Sequence, residues 1–149
     1  MENMRMMLVD DEERFLSTTE KLISRRGYDI VTAKSGAEAL EKLKTLNIHV
    51  VILDVKMPGM DGIETLKAIK RGHPLTEVIM LTGHGTVESA VDGLNSGATD
   101  YLIKPTDLNK LLKKAEEAFE KRQRMEEKIR MARARQYMKS PREIIKEMD

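Results

Sequence analysis

The sequence of 149 residues contains no cysteine. It can therefore form neither a disulfide framework nor a thiolate site, and this absence fits a reducing compartment. Zinc is also disfavoured, because the three histidines, His49, His73 and His84, lack the spacing of metal ligands. No apolar run approaches the roughly 20 residues that span a bilayer, and the apolar run from Met6 to Val9 stops at two aspartates, too early for a signal peptide. These absences predict a soluble, cytoplasmic protein.

An excess of charge of one sign is lacking as well, since 26 Lys and Arg stand against 25 Asp and Glu. Residues 1–106 carry 13 basic and 16 acidic side chains, whereas residues 107–149 carry 13 and 9. A bias this small does not predict nucleic-acid binding. No Gly-rich loop follows the first predicted strand, which disfavours a nucleotide or flavin site. The length allows one domain with an appendage.

The sequence does contain a regular alternation of short apolar runs and helical patterns. Strands are predicted over residues 4–9, 28–33, 50–53, 78–81 and 101–103. A helix is predicted over residues 13–26, with Phe15, Thr19, Leu22 and Ile23 on one stripe. A second helix is predicted after a cap at Ser35, with Glu38 at the capping-box position. Further helices are predicted over residues 62–71, 86–96 and 107–139. This alternation predicts an α/β fold with a doubly wound parallel sheet. Right-handed crossovers would bring the carboxyl ends of all five strands to one edge.

Charged and hydroxyl side chains follow these predicted strands. Asp10 and Asp11 end the first strand, Asp54 the third, Thr82 the fourth and Lys104 the fifth. Three carboxylates in one place repel each other, and oxygen ligands of this kind suit Mg²⁺. Beside a metal and an ammonium group, a carboxylate can attack phosphorus and form an acyl phosphate. Two simpler interpretations stay open at this point: Asp54 could cap the next helix, and Lys104 could be an ordinary salt-bridge partner.

Four segments resemble the receiver domain of bacterial two-component response regulators, also called CheY-like domains. They are LVDDEE at 8–13, VVILDVKMPGMDGIE at 50–64, VIMLTGHG at 78–85 and GATDYLIKP at 97–105. The resemblance covers about residues 4–120, and its motifs are most similar to those of receivers of the nitrogen-regulator and dicarboxylate-regulator group. It implies a five-stranded flavodoxin-like sheet of order 2-1-3-4-5, with residues 1–120 as the receiver.

The same resemblance implies a phosphoacceptor and a magnesium site. Asp54 would accept the phosphoryl group, and Asp11 would be the main acidic Mg²⁺ ligand. Asp10 would act alongside it, partly through water, and the backbone carbonyl of Lys56 would complete the protein ligands. Lys56 and His84 occupy positions at which family members tune hydrolysis of the acyl phosphate.

The remaining site residues are also implied by the resemblance. Lys104 would pair with phosphoryl oxygens, Thr82 would hydrogen-bond one of them after transfer, and Gly83 would leave room beside them. The Lys104–Pro105 bond would be cis. Tyr101 would be the switch aromatic that moves inward when Thr82 moves, and the alternative is a half-buried tyrosine with its hydroxyl in water.

The predicted output surface lies on the fourth strand, the fourth and fifth helices and the fifth strand. Phosphorylation would favour one of two existing arrangements of this face. Its apolar and aromatic members are Val87, Ala90, Val91, Leu94 and Tyr101.

The last predicted helix is longer than a receiver requires. Residues 121–139 extend it, and a repeat with spacings of four and three predicts a weak coiled coil, suited to a conditional homodimer. The repeat consists of Leu111, Ala115, Ala118, Arg122, Met125, Ile129, Ala132 and Gln136. The alternative is a single solvated helix with pairs such as Glu117 with Lys121 and Glu126 with Arg130. Residues 140–149 are predicted to form a short helix or to fray.

Three functions follow from these patterns. The first is a phosphorylation-dependent signalling switch that takes its phosphoryl group from a sensor histidine kinase or phosphotransfer protein and contacts an output protein, without binding nucleic acid or membrane. Such a protein would catalyse only its own Mg²⁺-dependent aspartyl phosphorylation and dephosphorylation. The second is a receiver and linker fragment of a larger transcription regulator. The third is a haloacid-dehalogenase-like phosphatase, which is disfavoured because Lys56 stands where those enzymes place a second aspartate.

Overall fold

The computed structural model describes residues 3–55, 62–83 and 87–137. Five parallel strands form one sheet in the order β2-β1-β3-β4-β5. The strands are β1 Arg5–Val9, β2 Asp29–Ala33, β3 Val50–Leu53, β4 Glu77–Thr82 and β5 Asp100–Ile103. The helices are α1 Glu13–Arg25, α2 Gly36–Leu43, α3 Gly62–Gly72, α4 Val87–Asn95 and α5 Leu108–Tyr137. The predicted fold class and strand order are thus confirmed.

Alternating residues of the strands fill two apolar cores, one on each side of the sheet. Met6 and Leu8 of β1 lie in the core that includes residues of α1 and α5. Met7 and Val9 lie in the other core, with residues of α2 and α3. Successive side chains of a strand point to opposite faces, so a strand covered on both faces needs an unbroken apolar run. That requirement explains the apolar run of β3, in which all four residues are buried.

Helix α1 buries a slightly different stripe from the predicted one. Leu16, Thr19 and Ile23 are its buried residues, whereas Leu22 is 43% exposed, so the prediction that Leu22 faces the core is wrong. With 3.6 residues per turn, positions 16, 19 and 23 share one face and position 22 falls at its edge. There Leu22 and the half-buried Phe15 line a groove of about 420 Å³ between α1 and α5.

The cap of α2 follows the predicted capping pattern, except that the Glu38 carboxylate bonds to the amide of Lys34 and not to that of Ser35. Ser35 Oγ accepts a hydrogen bond from the Glu38 amide at 3.1 Å, and the Glu38 carboxylate accepts one from the Lys34 amide at 2.8 Å. This backbone hydrogen bond, together with the nearby Lys42 ammonium, holds the pKa of Glu38 below its ordinary value, although partial burial opposes the shift. The two side chains therefore satisfy amide groups at a helix start, where the helix itself supplies no acceptors.

Helix α5 is attached to the sheet over its first half. Leu111, Ala115 and Ala118 are buried, and the Arg122 guanidinium donates to the Ile48 carbonyl at 2.7 Å and to Asn47 Oδ1 at 3.3 Å. The first four positions of the predicted coiled-coil repeat therefore contact the receiver's own body. The positions left for another chain are Met125, Ile129, Ala132 and Gln136.

The ion pairs along α5 differ from those that spacing suggested. Lys121 lies 3.6 Å from Glu77 of β4, and Arg122 pairs with Glu126 at 2.7 Å. Arg130 pairs with Glu127 at 2.6 Å. The Lys121 pair is a tertiary contact with β4, whereas the other two pairs lie within α5 at spacings of four and three. Residues 140–149, predicted to form a short helix or fray, lie outside the described residues.

None of the helices within residues 3–55, 62–83 and 87–137 has both the length and the hydropathy needed to traverse a lipid bilayer.

Candidate acidic site at the carboxyl edge of the sheet

Strand pairing places the predicted carboxylates side by side. Strands β1 and β3 are parallel neighbours with Val9 opposite Leu53, so the next residues, Asp10 and Asp54, leave the sheet at the same level. The Asp54 amide donates to the Val9 carbonyl at 3.0 Å. Asp10, Asp11 and Asp54 each offer one carboxylate oxygen, and these three atoms lie within 4.8 Å of one another.

The chemistry of this cluster fits a hard divalent cation. Asp10 and Asp54 are buried, at 1% and 8% exposure, and Asp11 is exposed. The Lys104 ammonium contacts Asp10, beside the three clustered carboxylates. A set of carboxylate oxygens is what Mg²⁺ prefers. The predicted fourth ligand, Lys56, lies outside the described residues.

Lys104 enters the site from the end of β5. Its amide donates to the Thr82 carbonyl at 2.7 Å, and the Lys104–Pro105 bond is cis, as the resemblance implied. Its ammonium contacts Asp10 Oδ2 and lies 4.0 Å from the centroid of the Phe15 ring. Sequence reasoning placed Phe15 in the core stripe of α1 and missed this contact, because only the tertiary fold brings α1 beside the end of β5.

The end of β4 supplies the predicted hydroxyl. Thr82 is fully buried and is the last residue of the strand. A Cβ added to the adjacent Gly83 would meet no atom within 4 Å, so packing among the described residues does not itself require glycine there. His84 lies outside the described residues.

The predicted switch residue Tyr101 adopts an arrangement that neither interpretation anticipated. It is half-buried, and its hydroxyl lies 3.0 Å from Ser89 Oγ of α4, within hydrogen-bonding distance. A Cβ on Gly93, one turn further along α4, would lie 3.9 Å from the Tyr101 ring. In the sequence, Ser89 and Gly93 are four residues apart and therefore share one face of α4. That spacing is the sequence signal for a helix face that contacts Tyr101.

The sequence analysis also missed Gly62, the first residue of α3. A Cβ at this position would lie 2.4 Å from the Asp54 carbonyl oxygen and 2.5 Å from Val55 Cα. The Gly62 amide donates to the Val55 carbonyl at 2.8 Å. The start of α3 therefore rests directly on the backbone that carries Asp54, and only glycine fits without moving that backbone.

The predicted output surface carries exposed apolar side chains on α4 and at the end of β5. Of the predicted members, Val87, Val91 and Leu94 are 83%, 48% and 48% exposed, whereas Ala90 and Tyr101 are half-buried. Ile103, which the prediction did not include, is 54% exposed. We call Val87, Val91, Leu94 and Ile103 together the α4–β5 surface. Exposed apolar side chains such as these are typical of contact surfaces.

Known proteins resemble this chain over most of its length. The sequence model of the response regulator receiver domain matches residues 6–116. The transcriptional regulatory protein ZraR of Escherichia coli is 39% identical over 118 residues, which make up 79% of this chain and 27% of ZraR. The DNA-binding transcriptional regulator NtrC of Escherichia coli is 38% identical over 112 residues, or 75% of this chain and 24% of NtrC. The chain thus spans about a quarter of the length of these relatives.

Solved receiver structures have the same fold. A CheY-like receiver domain from Methanospirillum hungatei superposes with a TM-score of 0.79 at 30% identity and covers 83% of this chain and 99% of its own. The receiver domain of NtrX from Brucella abortus gives 0.73 at 33% identity, with coverages of 77% and 98%. The chain therefore belongs to the receiver-domain family of two-component response regulators.

Proposed function

We propose that this receiver is a phosphorylation-dependent signalling switch in which Asp54 accepts a phosphoryl group from a phosphohistidine of a sensor kinase or phosphotransfer protein. The observation that carries the proposal is the close approach of Asp10, Asp11 and Asp54, two of them buried, beside the Lys104 ammonium. Buried like charges at this distance are costly unless cations balance them.

Asp10, Asp11 and Asp54 would hold the Mg²⁺ ion, with the backbone carbonyl of Lys56 as a further ligand. The bound ion would supply neutralisation of charge on the phosphoryl oxygens. In the transfer, a carboxylate oxygen of Asp54 forms a bond to phosphorus as the phosphorus–nitrogen bond of phosphohistidine breaks, and the imidazole leaves with the electron pair. Lys104 balances the charge of the transferred group, and Thr82 donates a hydrogen bond to it.

The test is incubation with acetyl phosphate and Mg²⁺ followed by intact mass measurement. The wild-type chain should gain one phosphoryl group, and Asp54→Asn should gain none. Asp29→Asn serves as the matched control, because Asp29 lies at the start of β2 and pairs with Arg5 at 2.8 Å, at the opposite edge of the sheet. An equal gain of mass in the Asp54→Asn variant would show that another residue is the acceptor.

We propose that output passes through protein contacts on the α4–β5 surface, including a homodimer that involves the exposed half of α5. Met125 and Met131 are 43% and 49% exposed there, which supports a contact role for this segment. Size-exclusion light scattering before and after phosphorylation tests the dimer. If the dimer fraction stays fixed at full phosphorylation, the dimer proposal fails and the phosphoacceptor proposal stands.

A second candidate is a role as the receiver and linker of a longer transcription regulator. It is favoured by the similarity to ZraR and NtrC, which are named as transcriptional regulators. Sequencing the natural reading frame beyond codon 149 tests it, and a stop codon there would refute it.

A further inference from the structure

The Lys104 ammonium lies between two different partners. On one side it contacts Asp10 Oδ2, and on the other it lies 4.0 Å from the centroid of the Phe15 ring. The Lys104 side chain is only 19% exposed, so water competes weakly with both contacts. Phe15 is half-buried and packs against the core that contains α1 and α5 residues, which fixes the ring beneath the ammonium.

We propose that Phe15 is a positioning residue for phosphoryl transfer: its ring face holds the Lys104 ammonium at the acceptor site when the Asp10 carboxylate is engaged elsewhere. The inference rests on the proposed function, because it assigns Lys104 to the phosphoryl oxygens.

The reason lies in a competition for Asp10. Asp10 belongs to the acidic cluster suited to a divalent cation, and the same carboxylate is the ion-pair partner of Lys104. When Asp10 acts as a metal ligand, its attraction for the ammonium is weakened and the nearby cation repels it. A lysine side chain has four rotatable bonds and would then move towards solvent.

An aromatic ring can keep the Lys104 ammonium in place, because the ring attracts the ammonium without binding the metal. The face of a phenyl ring carries partial negative charge, and a cation within about 6 Å of its centroid is attracted. The attraction is stronger where water is excluded. An aliphatic residue of similar size would fill the same space but would offer no such attraction, so shape and electrostatics can be separated experimentally.

The experiment replaces Phe15 with phenylalanine carrying one, two and three ring fluorines, which nearly preserve the shape and progressively weaken the negative face, and with Phe15→Leu. The chain has one other phenylalanine, Phe119, whose ring meets the His49 ring edge-on at 5.0 Å. The same substitutions at Phe119 are the matched control. Circular dichroism melts of each variant report the folded fraction.

Two readouts are measured on every variant. In metal-free protein, the ring current of Phe15 should move the Lys104 ε-methylene proton resonances upfield, and Phe15→Leu should abolish that shift while the Phe119 variants keep it. With acetyl phosphate and Mg²⁺, the phosphorylation rate should fall with each added fluorine and reach about a three- to tenfold loss in Phe15→Leu. The rate in the Phe119 series should stay within twofold of wild type.

Three results would overturn the inference. A normal Lys104 methylene shift in wild type would show that the ring contact does not exist in solution. Equal or rising rates across the fluorine series would show that the contact exists without positioning the ammonium for transfer. Failure of the wild-type chain to accept any phosphoryl group would refute the proposed function, and the inference with it. Results from the Phe15 variants alone can refute only the role of Phe15.

Discussion

Replacing Gly62 with alanine should strain the backbone that carries Asp54. The added methyl group would lie 2.4 Å from the Asp54 carbonyl oxygen and 2.5 Å from Val55 Cα. Both obstacles are backbone atoms, and the Asp54 amide is held by its hydrogen bond to the Val9 carbonyl of the neighbouring strand. The clash can therefore be relieved only by moving the start of α3 or the end of β3.

The expected magnitude comes from two opposing effects. Overpacking in a tight site costs about 1–3 kcal/mol, and a clash with backbone belongs at the upper end of this range. Alanine regains roughly 0.5–1 kcal/mol over glycine in a helix. The net loss of unfolding free energy should be about 2 kcal/mol, which lowers the urea midpoint by about 1.3 M if the slope is ~1.5 kcal/mol per molar.

Urea unfolding followed by circular dichroism measures this loss, and Gly72→Ala at the other end of α3 is the control. A Cβ at Gly72 would meet no atom within 4 Å, so this variant should keep or slightly raise the midpoint. The Gly62→Ala variant should also phosphorylate more slowly, because the displaced backbone moves Asp54. Equal midpoints for the two variants would refute the steric reasoning.

Three further predictions concern single side chains. Arg122→Ala should lower the unfolding free energy by about 1–2 kcal/mol, because the Ile48 carbonyl loses its charged donor. Arg130→Ala is the control: its side chain is 71% exposed, so the change should be less than about 0.5 kcal/mol. Urea unfolding measures both variants. Glu38→Gln should cost below about 1 kcal/mol at pH 7, since the side chain is 39% exposed and screened. The pKa of Glu38 is lowered from 4.5 by folding, so its stabilising effect is present above pH 4.5 and is lost as pH falls through the lower folded value. A stability difference from wild type that does not shrink as pH falls below 4.5 would contradict this linkage. Ser89→Ala should free the Tyr101 hydroxyl and change its rotamer populations about two- to tenfold, measured by ¹⁹F NMR of fluorotyrosine at position 101, and an unchanged spectrum would refute the contact.

The sequence predicted the sheet and its acidic edge because both depend on local patterns. An unbroken apolar run such as that of β3 has one stable environment, a strand buried on both faces, and the residue that follows it must lie at the sheet edge. Strand assignment was therefore enough to bring Asp10 and Asp54 together. The helix faces were harder, because a stripe of apolar residues does not say where its buried centre lies, and Leu22 was assigned to the core although it lines a groove.

The sequence by itself determined the element order, the parallel sheet and which strand ends carry the acidic and basic groups, since periodicity and chain order are one-dimensional properties. Only the tertiary structure decided the contacts between elements distant in the chain: Phe15 with Lys104, Ser89 with Tyr101, Gly62 against the Asp54 backbone, and Arg122 with Ile48. The physical reason is that such contacts depend on sub-ångström packing of one element on another. A sequence pattern is compatible with many side-chain conformations and many helix orientations. Close packing of the whole domain selects one of them.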